Sequence, residues 1–346
     1  MIYFTKNNQY ICIRHFLKML TDKFGRTINY LRLAVVDRCN LRCTYCMPEN
    51  GLTWIKQKEL MTDEEMLRIC SVFAELGVDK IRITGGEPFV RKNIINLIGN
   101  LSRLEGITDL SLTTNGLLTE QYIPQLKEFG VKSVNLSLDT LDEERFFTIT
   151  RRKSFNTVMK TLEALLEHDI KVKVNTVVME HQNIEDIIPL VLLTQQLPID
   201  VRFIEEMPFN GNDGDISLKW NYPQIYKHIR EHFPEIEKTA DPKSSTSYSY
   251  RIPGFTGNIG IIAAYTRSFC GDCNRIRITP SGVLRSCLYE GTGINLKDEM
   301  RSGKTDEELK NSIINCIQNK SRDGWEAQKL SLTESQIHQS MATIGG

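Results

Sequence analysis

Several short stretches of the sequence repeat one pattern, in which a charged or polar side chain alternates with a β-branched residue or leucine over the length of a strand. In KIRIT (80–84), Lys80, Arg82 and Thr84 share one face and Ile81 and Ile83 the other. KVKVN sets Lys171, Lys173 and Asn175 against Val172 and Val174, and VNLSLD sets Asn135, Ser137 and Asp139 against Val134, Leu136 and Leu138. Arg32 between Leu31 and Leu33, and Arg202 between Val201 and Phe203, follow suit. Strands are expected over 31–36, 80–84, 109–114, 132–138, 171–177 and 200–205, and helices over 63–76, 92–104, 120–129, 155–168 and 183–194. Such alternation, with helical stretches between the strands, points to an α/β fold, a partial or full βα barrel, of which a partial (βα)6 TIM-like barrel is the form expected here. There the apolar faces must meet the outer helices, which turns the polar faces inward. Buried unpaired cations are costly, so an interior rich in Arg and Lys calls for an anion. An open sheet with one wet face accounts for each strand taken alone. Agreement among the strands favours a cavity for a polyanion such as a nucleoside triphosphate.

The regularity stops near Pro208, where MPFNGNDGD begins, and DPKSSTSYSY (241–250) reads as a second connection. The expected organisation is a leader at 1–21, a barrel at 22–250, and a C-terminal unit at 251–346 that closes the barrel mouth. Lys and Arg number 43, as do Asp and Glu, so a polybasic nucleic-acid binder is excluded and any anion site is local. The longest apolar run, Ile187 to Leu193, is interrupted by Pro189 and is too short to cross a bilayer, so no membrane partner is expected. The leader carries Lys6, Arg14, His15 and Lys18 without the order of a secretory signal. A transit peptide and a start at Met19 both agree with it.

Nine cysteines without a secretion signal indicate reduced thiols serving metal or catalysis. Cys70 and Cys316 sit at helical spacing among apolar residues and read as core, and Cys12 lies in the leader. The other six form two triads. Cys39, Cys43 and Cys46, spaced C-x3-C-x2-C, follow the first strand, at the end of a βα unit where such folds keep their chemistry. Structural zinc takes four ligands, and the nearest histidine downstream is His168. An iron-sulfur cube on three thiolates leaves one iron open to a ligand. The paired glycines of TGGEP (84–88), after the second strand, let backbone approach a ligand closely. Cys270, Cys273 and Cys287 form a second triad, C-x2-C-x13-C, for which a zinc completed by a distant residue stays open beside a second cluster. Arg275 and Arg277 follow, flanking Ile276, and guanidiniums suit phosphate. His228 and His232, among Lys227, Arg230 and Glu231, read as a solvated helix face.

The first triad, with Tyr45 between its last two cysteines, together with TGGEP resembles the radical S-adenosylmethionine superfamily. The second triad followed by NRIRIT, the strands LRL, KIRITGGEP, LTTNG, VNLSLD and VRFIE, and the terminal IGG narrow this to a resemblance to the MoaA family, the GTP 3′,8-cyclases of molybdenum cofactor biosynthesis, over residues from about 22 to 346. The loop after Cys46 is shorter than the family's, and the leader has no counterpart there. The resemblance implies a lyase with two 4Fe-4S clusters and S-adenosylmethionine. Cys39, Cys43 and Cys46 would hold the first cluster and Cys270, Cys273 and Cys287 the second. Tyr45, Gly85, Gly86, Glu87, Ser137 and Met207 would bind S-adenosylmethionine. Arg32, Lys80, Arg82, Thr113, Lys173, Arg202, Arg275, Ile276 and Arg277 would contact GTP, with the Gly345-Gly346 tail assisting catalysis. A radical would take hydrogen from ribose C3′, and the resulting carbon radical would close on C8 of guanine. The family further implies an electron donor of unknown identity, hand-over of the product to cyclic pyranopterin monophosphate synthase, a cytoplasmic setting and compatibility with a homodimer. Two other readings are a radical enzyme that modifies a peptide or RNA, and a non-catalytic zinc module.

Overall fold

The computed structural model describes residues 19–48, 51–207, 209, 218–291, 293–332 and 340–345. Cys12 and Gly346 lie outside the described residues, as does most of MPFNGNDGD. Six strands follow the alternating runs: β1 (Tyr30–Ala34), β2 (Lys80–Thr84), β3 (Asp109–Thr114), β4 (Ser133–Ser137), β5 (Lys171–Val178) and β6 (Asp200–Glu205). They pair in parallel in chain order. Helices α1 (Asp63–Glu75), α2 (Ile94–Leu101), α3 (Ile123–Glu128), α4 (Glu143–Thr150), α5 (Phe155–Glu167) and α6 (Ile187–Gln196) connect them. Helix α4 had no expected counterpart. The stretches expected as helix at 120–129 and 183–194 each open with a 3-10 turn, Glu120–Tyr122 and Ile184–Asp186. Helix α1 starts at a capping box, with Thr62 and Glu65 each accepting the other's backbone N–H.

The C-terminal third enters the same sheet from both sides. Helix α7 (Tyr222–His232) is followed by β7 (Glu237–Lys238), β8 (Ser247–Arg251), β9 (Asn258–Ile262), β10 (Arg275–Ile278), β11 (Val283–Arg285) and β12 (Ile294–Asn295), then by α8 (Leu296–Arg301), α9 (Asp306–Gln318), α10 (Gly324–Leu332) and α11 (Met341–Ile344). Strand β9 lies parallel to β6, and β10 lies parallel to β1. The barrel half is therefore flanked by C-terminal strands in the order β12-β11-β10-β1-β2-β3-β4-β5-β6-β9-β8-β7. Strand β8 straddles the boundary expected at 250/251, and the sheet runs through it without a break.

The apolar faces of the strands form one core with the helices. Leu31, Leu33, Ile81, Ile83, Leu112, Val134, Val172, Val174, Val201 and Phe203 are fully buried and join Phe73, Leu97, Leu126, Leu165 and Val191 of the outer layer. The alternate residues are thereby turned inward. Among the described residues no helix is long and apolar enough to cross a membrane.

Phe203 is buried at 0% exposure, whereas Leu192 on α6 is 44% exposed. Phe203→Ala is expected to lower unfolding free energy by about 3–5 kcal/mol. Leu192→Ser should stay within about 0.5 kcal/mol. Denaturant titration of the apoprotein checks both.

Candidate active site

The inward rows follow from strand register. Arg277, Arg32, Arg82 and Ser111 are consecutive partners on β10, β1, β2 and β3. Thr113, Asn135 and Lys173 form a second row on β3, β4 and β5, and Ser137 beside Asn175 beside Arg202 a third. Gly260 of β9 faces Arg202, and a Cβ there would stand 2.8 Å from Arg202 Cγ, so glycine makes room for the arginine stem. Arg32 Nε, Arg202 Nε and Nη2, Arg275 Nη2, Thr113 Oγ1, Asn175 Oδ1 and both amide atoms of Asn135 are buried without a hydrogen-bond partner among the described residues. Buried donors with no acceptor are costly, so this wall is built for a ligand rich in acceptors. Burial, reinforced by Arg202, pushes the Lys173 pKa down to about 8. Lys80 lies apart from this wall, its ammonium 2.5 Å from Asp109 Oδ2.

The first triad sits on the loop after β1. Arg42 N–H donates to the carbonyl of Thr150 and Thr44 N–H to that of Ile149, so the unexpected α4 anchors the loop. The Cys46 and Met47 N–H groups both donate to the Cys43 carbonyl, which folds the thiols toward one another. The paired glycines hold this loop from the other side. Gly86 N–H donates to Val36 O at 2.8 Å and Glu87 N–H to Arg38 O at 2.8 Å. A Cβ on Gly86 would fall 2.3 Å from the Arg38 carbonyl oxygen, so only glycine lets the backbones run this close beside Cys39. The Glu87 carboxylate accepts from the N–H groups of Phe89 and Asn115 and from the Thr114 hydroxyl, while burial lifts its pKa to about 7. Tyr45 donates to Asp139 at 2.9 Å. Burial first, then the neighbouring charges of Glu87, raise Cys39 to about 11. Burial raises Cys43, helped by Cys46, Asp139 and Cys39, and it raises Cys46, helped by Cys39 and Asp139. Three neighbouring thiols, each held up by burial and nearby negative charge, call for a cationic partner.

The second triad brackets the far end of the same wall. Cys270 and Cys273 flank a 3-10 turn, and Cys287 follows β11. Burial raises Cys270 and Cys287, whereas at Cys273 the charges of Lys320 and Arg275 overcome burial and bring the thiol down to about 6. Among the described residues no three His, Cys, Asp or Glu side chains are set to hold a single metal ion. Zinc binds thiolates at about 2.3 Å and draws the sulfurs within about 4 Å of one another. The donor set of each triad, three thiolates, suits a cube that takes each on a separate iron and leaves one iron open.

Two lobes of a cavity join the triads. One, of about 180 Å³, is lined by Cys39, Cys43, Cys46, Tyr45, Gly85, Gly86 and Ser137. The other, of about 190 Å³, is lined by Arg32, Arg82, Arg202, Arg275, Ile276, Arg277 and the three distal cysteines. Thr113, Asn175, Ile204, Met207 and Met341 line both. The chain's last described turn runs between them. Ser340 Oγ donates to the Cys46 carbonyl, Met341 N–H to that of Phe209, and Arg277 Nη1 to Gly345 O at 2.9 Å. Gly345 has φ +79° and is buried against Ala34, whose Cβ would be 2.6 Å from an added Cβ. Sequence reasoning missed Asn135, Asn175, Asn115, which donates to Cys39 Sγ at 3.6 Å, and Glu205, whose carboxylate accepts from Tyr222, Tyr265 and Thr266 N–H groups. Asn135 and Asn175 carry a signal, since both fall on the inward face of an alternating strand.

Residues 33–193 match the radical SAM superfamily, and residues 199–325 match Molybdenum Cofactor Synthesis C. Human molybdenum cofactor biosynthesis protein 1 is 41% identical over 308 residues, 89% of this chain and 48% of that protein. The chain thus spans about half the length of such relatives. The GTP 3′,8-cyclase of Clostridium perfringens strain 13 is 43% identical over 303 residues, 87% of this chain and 93% of that protein. The structure of Streptococcus suis SuiB bound to S-adenosylmethionine shares the fold at TM-score 0.60 and 16% identity, over 84% of this chain and 68% of that one. The chain belongs to the radical SAM superfamily and, within it, to the family of the GTP 3′,8-cyclases and molybdenum cofactor biosynthesis proteins.

Proposed function

We propose that this protein is a lyase that cyclises GTP to (8S)-3′,8-cyclo-7,8-dihydroguanosine 5′-triphosphate, the first step of molybdenum cofactor biosynthesis. The observation that carries the proposal is the joined cavity, with a thiol triad at each end and unpartnered cationic and amide groups between. Cys39, Cys43 and Cys46 would hold one 4Fe-4S cluster, and Cys270, Cys273 and Cys287 the other. When bound, the first cluster and S-adenosylmethionine supply a 5′-deoxyadenosyl radical.

The protein's own part is placement. Gly85, Gly86, Ser137 and Met207 line the lobe beside the first triad and would enclose S-adenosylmethionine there. Tyr45 offers that lobe its ring, because its hydroxyl is committed to Asp139. Glu87, with its carboxylate committed to backbone and Thr114, braces the loop instead of reaching the ligand. Arg32, Arg82, Arg202, Arg275 and Arg277 surround the second lobe and supply forked donors for phosphate, and Ile276 gives it an apolar wall. Lys173 stands outside that lining, in register with Asn135 on β5, and would act on the phosphates by its charge. Thr113, at the junction, faces the ribose. Lys80 tunes this face through Asp109 and stays out of direct contact. Gly345, its carbonyl accepting from Arg277, would stand beside the substrate. The product goes on to cyclic pyranopterin monophosphate synthase.

The test is anaerobic: reconstituted protein with S-adenosylmethionine and dithionite, with 5′-deoxyadenosine quantified with GTP, with ATP and with neither. Release stimulated by GTP alone is expected; release indifferent to GTP discards the substrate. A pH dependence follows from Lys173. Its ammonium attracts phosphate below a pKa of about 8 and is lost above it, so GTP affinity should fall as pH rises from 7 to 9. Ligand-free stability moves the other way. The folded group gives up its proton more readily than the unfolded one, at its ordinary 10.5, so stability rises with pH between those values. Anaerobic calorimetry on wild type and Lys173→Met checks this, with a flatter pH profile expected for the variant.

A further inference from the structure

Lys320 follows the C-terminus of α9, outside every strand that lines the cavity, yet it is 2% exposed. Its Nζ donates to the carbonyl of Arg275 at 3.1 Å and to the carbonyl of Ser286. Those two carbonyls belong to the two chains that carry the second triad. Arg275 stands two residues beyond Cys273, and Ser286 immediately precedes Cys287. The antiparallel ladder of β10 and β11 records Arg277 opposite Arg285 as its outermost pair on that side. Beyond it no further pair of the ladder joins the two strands among the described residues, and the lysine ammonium takes over.

The segment that bears Lys320 is itself fastened. Arg26 donates from Nη2 to Ser321 O and from Nη1 to Arg322 O, both at 2.7 Å, and from Nη1 also to Cys270 O at 2.9 Å. Asp22 fixes that guanidinium from its other edge, Oδ2 standing 2.6 Å from Nε. All three cysteines are thus reached through backbone by one two-cation clamp. An ammonium this deeply buried is costly unless fully bonded, and no carboxylate pairs with it among the described residues. Carbonyls alone only partly offset its charge.

We propose that Lys320 is a positioning residue for the second triad: it fixes the separation of the Cys270–Cys273 turn from Cys287 and keeps a positive charge beneath that end of the cavity, without touching the substrate. This rests on the reading of that triad as cluster ligands. The mutation Lys320→Met removes both hydrogen bonds and the charge at similar length, whereas Lys320→Arg keeps the charge and can span two carbonyls.

The experiment is anaerobic reconstitution of wild type, Lys320→Met, Lys320→Arg and Cys273→Ala. Iron and sulfide per chain are measured, together with the reduction potential of each cluster by EPR-monitored titration. Wild type should take up about eight irons and Cys273→Ala about four. If wild type itself takes up only about four, the reading of the second triad fails, whatever Lys320 does. Given two clusters in wild type, Lys320→Met should keep the first cluster at its unaltered potential. Its second cluster should be mostly lost, or retained at a lowered potential because a nearby cation favours the reduced state. Lys320→Arg should restore much of the difference. Lys320→Met with both clusters at wild-type occupancy and potential overturns the proposal. So does a parallel loss of both clusters, which makes Lys320 a brace of the whole fold.

Discussion

A row of guanidiniums on the inside of a parallel sheet is the constraint on which the rest of this structure depends. Arg277, Arg32 and Arg82 are neighbours across three strands, and Arg202 stands across the barrel from them. Like charges at that spacing repel, and burial removes the water that would screen them. The outer layer does nothing to relieve this, since its contribution to the barrel is apolar. The strand that takes Arg202 has a glycine beside it, and the tail offers Arg277 a carbonyl. Both fit a wall that accommodates its cations and leaves the charge for a ligand to neutralise.

The two thiol triads are placed by a different device, buried charged side chains bonded to backbone, joined at the first by a close approach of backbone to backbone. At the first, Gly85 and Gly86 lie against Val36 and Arg38, and Glu87 locks the turn by accepting two N–H groups and a hydroxyl. At the second, Glu205 at the end of β6 accepts from Tyr265 and Thr266, which ties the approach to Cys270 to the barrel, and Lys320 spans the strands on the other side. Buried charged groups bonded to backbone recur at both ends. They hold loops that carry the chemistry on a rigid sheet, which suits an enzyme that must keep a reactive species from water.

The six barrel strands and the inward basic face were legible in the sequence because period-two alternation survives in every strand, and a one-residue slip would bury the charges in the helical layer. The cysteine triads were legible from spacing alone. Lys80 was placed on the correct face, but its position at the start of β2 gives it Asp109 as partner, a pairing between strands that alternation cannot reveal. Helix α4 escaped notice because EERFFTIT is short and mixed in character, yet it anchors the first triad. The pairing of β10 with β1 and of β9 with β6 joins residues more than two hundred and about sixty positions apart in one case and the other, and no local pattern announces it. Nothing in QNKSRD sets Lys320 apart from a surface lysine; only the fold encloses it.

The central claim is that the wall holds GTP with its ribose turned toward the first triad and its charge on the arginines. The most direct measurement is the fate of deuterium in GTP labelled at ribose C3′, after a single anaerobic turnover with S-adenosylmethionine. Deuterium in 5′-deoxyadenosine is the expected result, because a ribose at the Thr113 junction of the lobes would lie between the two ends. Unlabelled 5′-deoxyadenosine beside consumed GTP would contradict it, by showing that the nucleotide lies in this cavity in some other orientation.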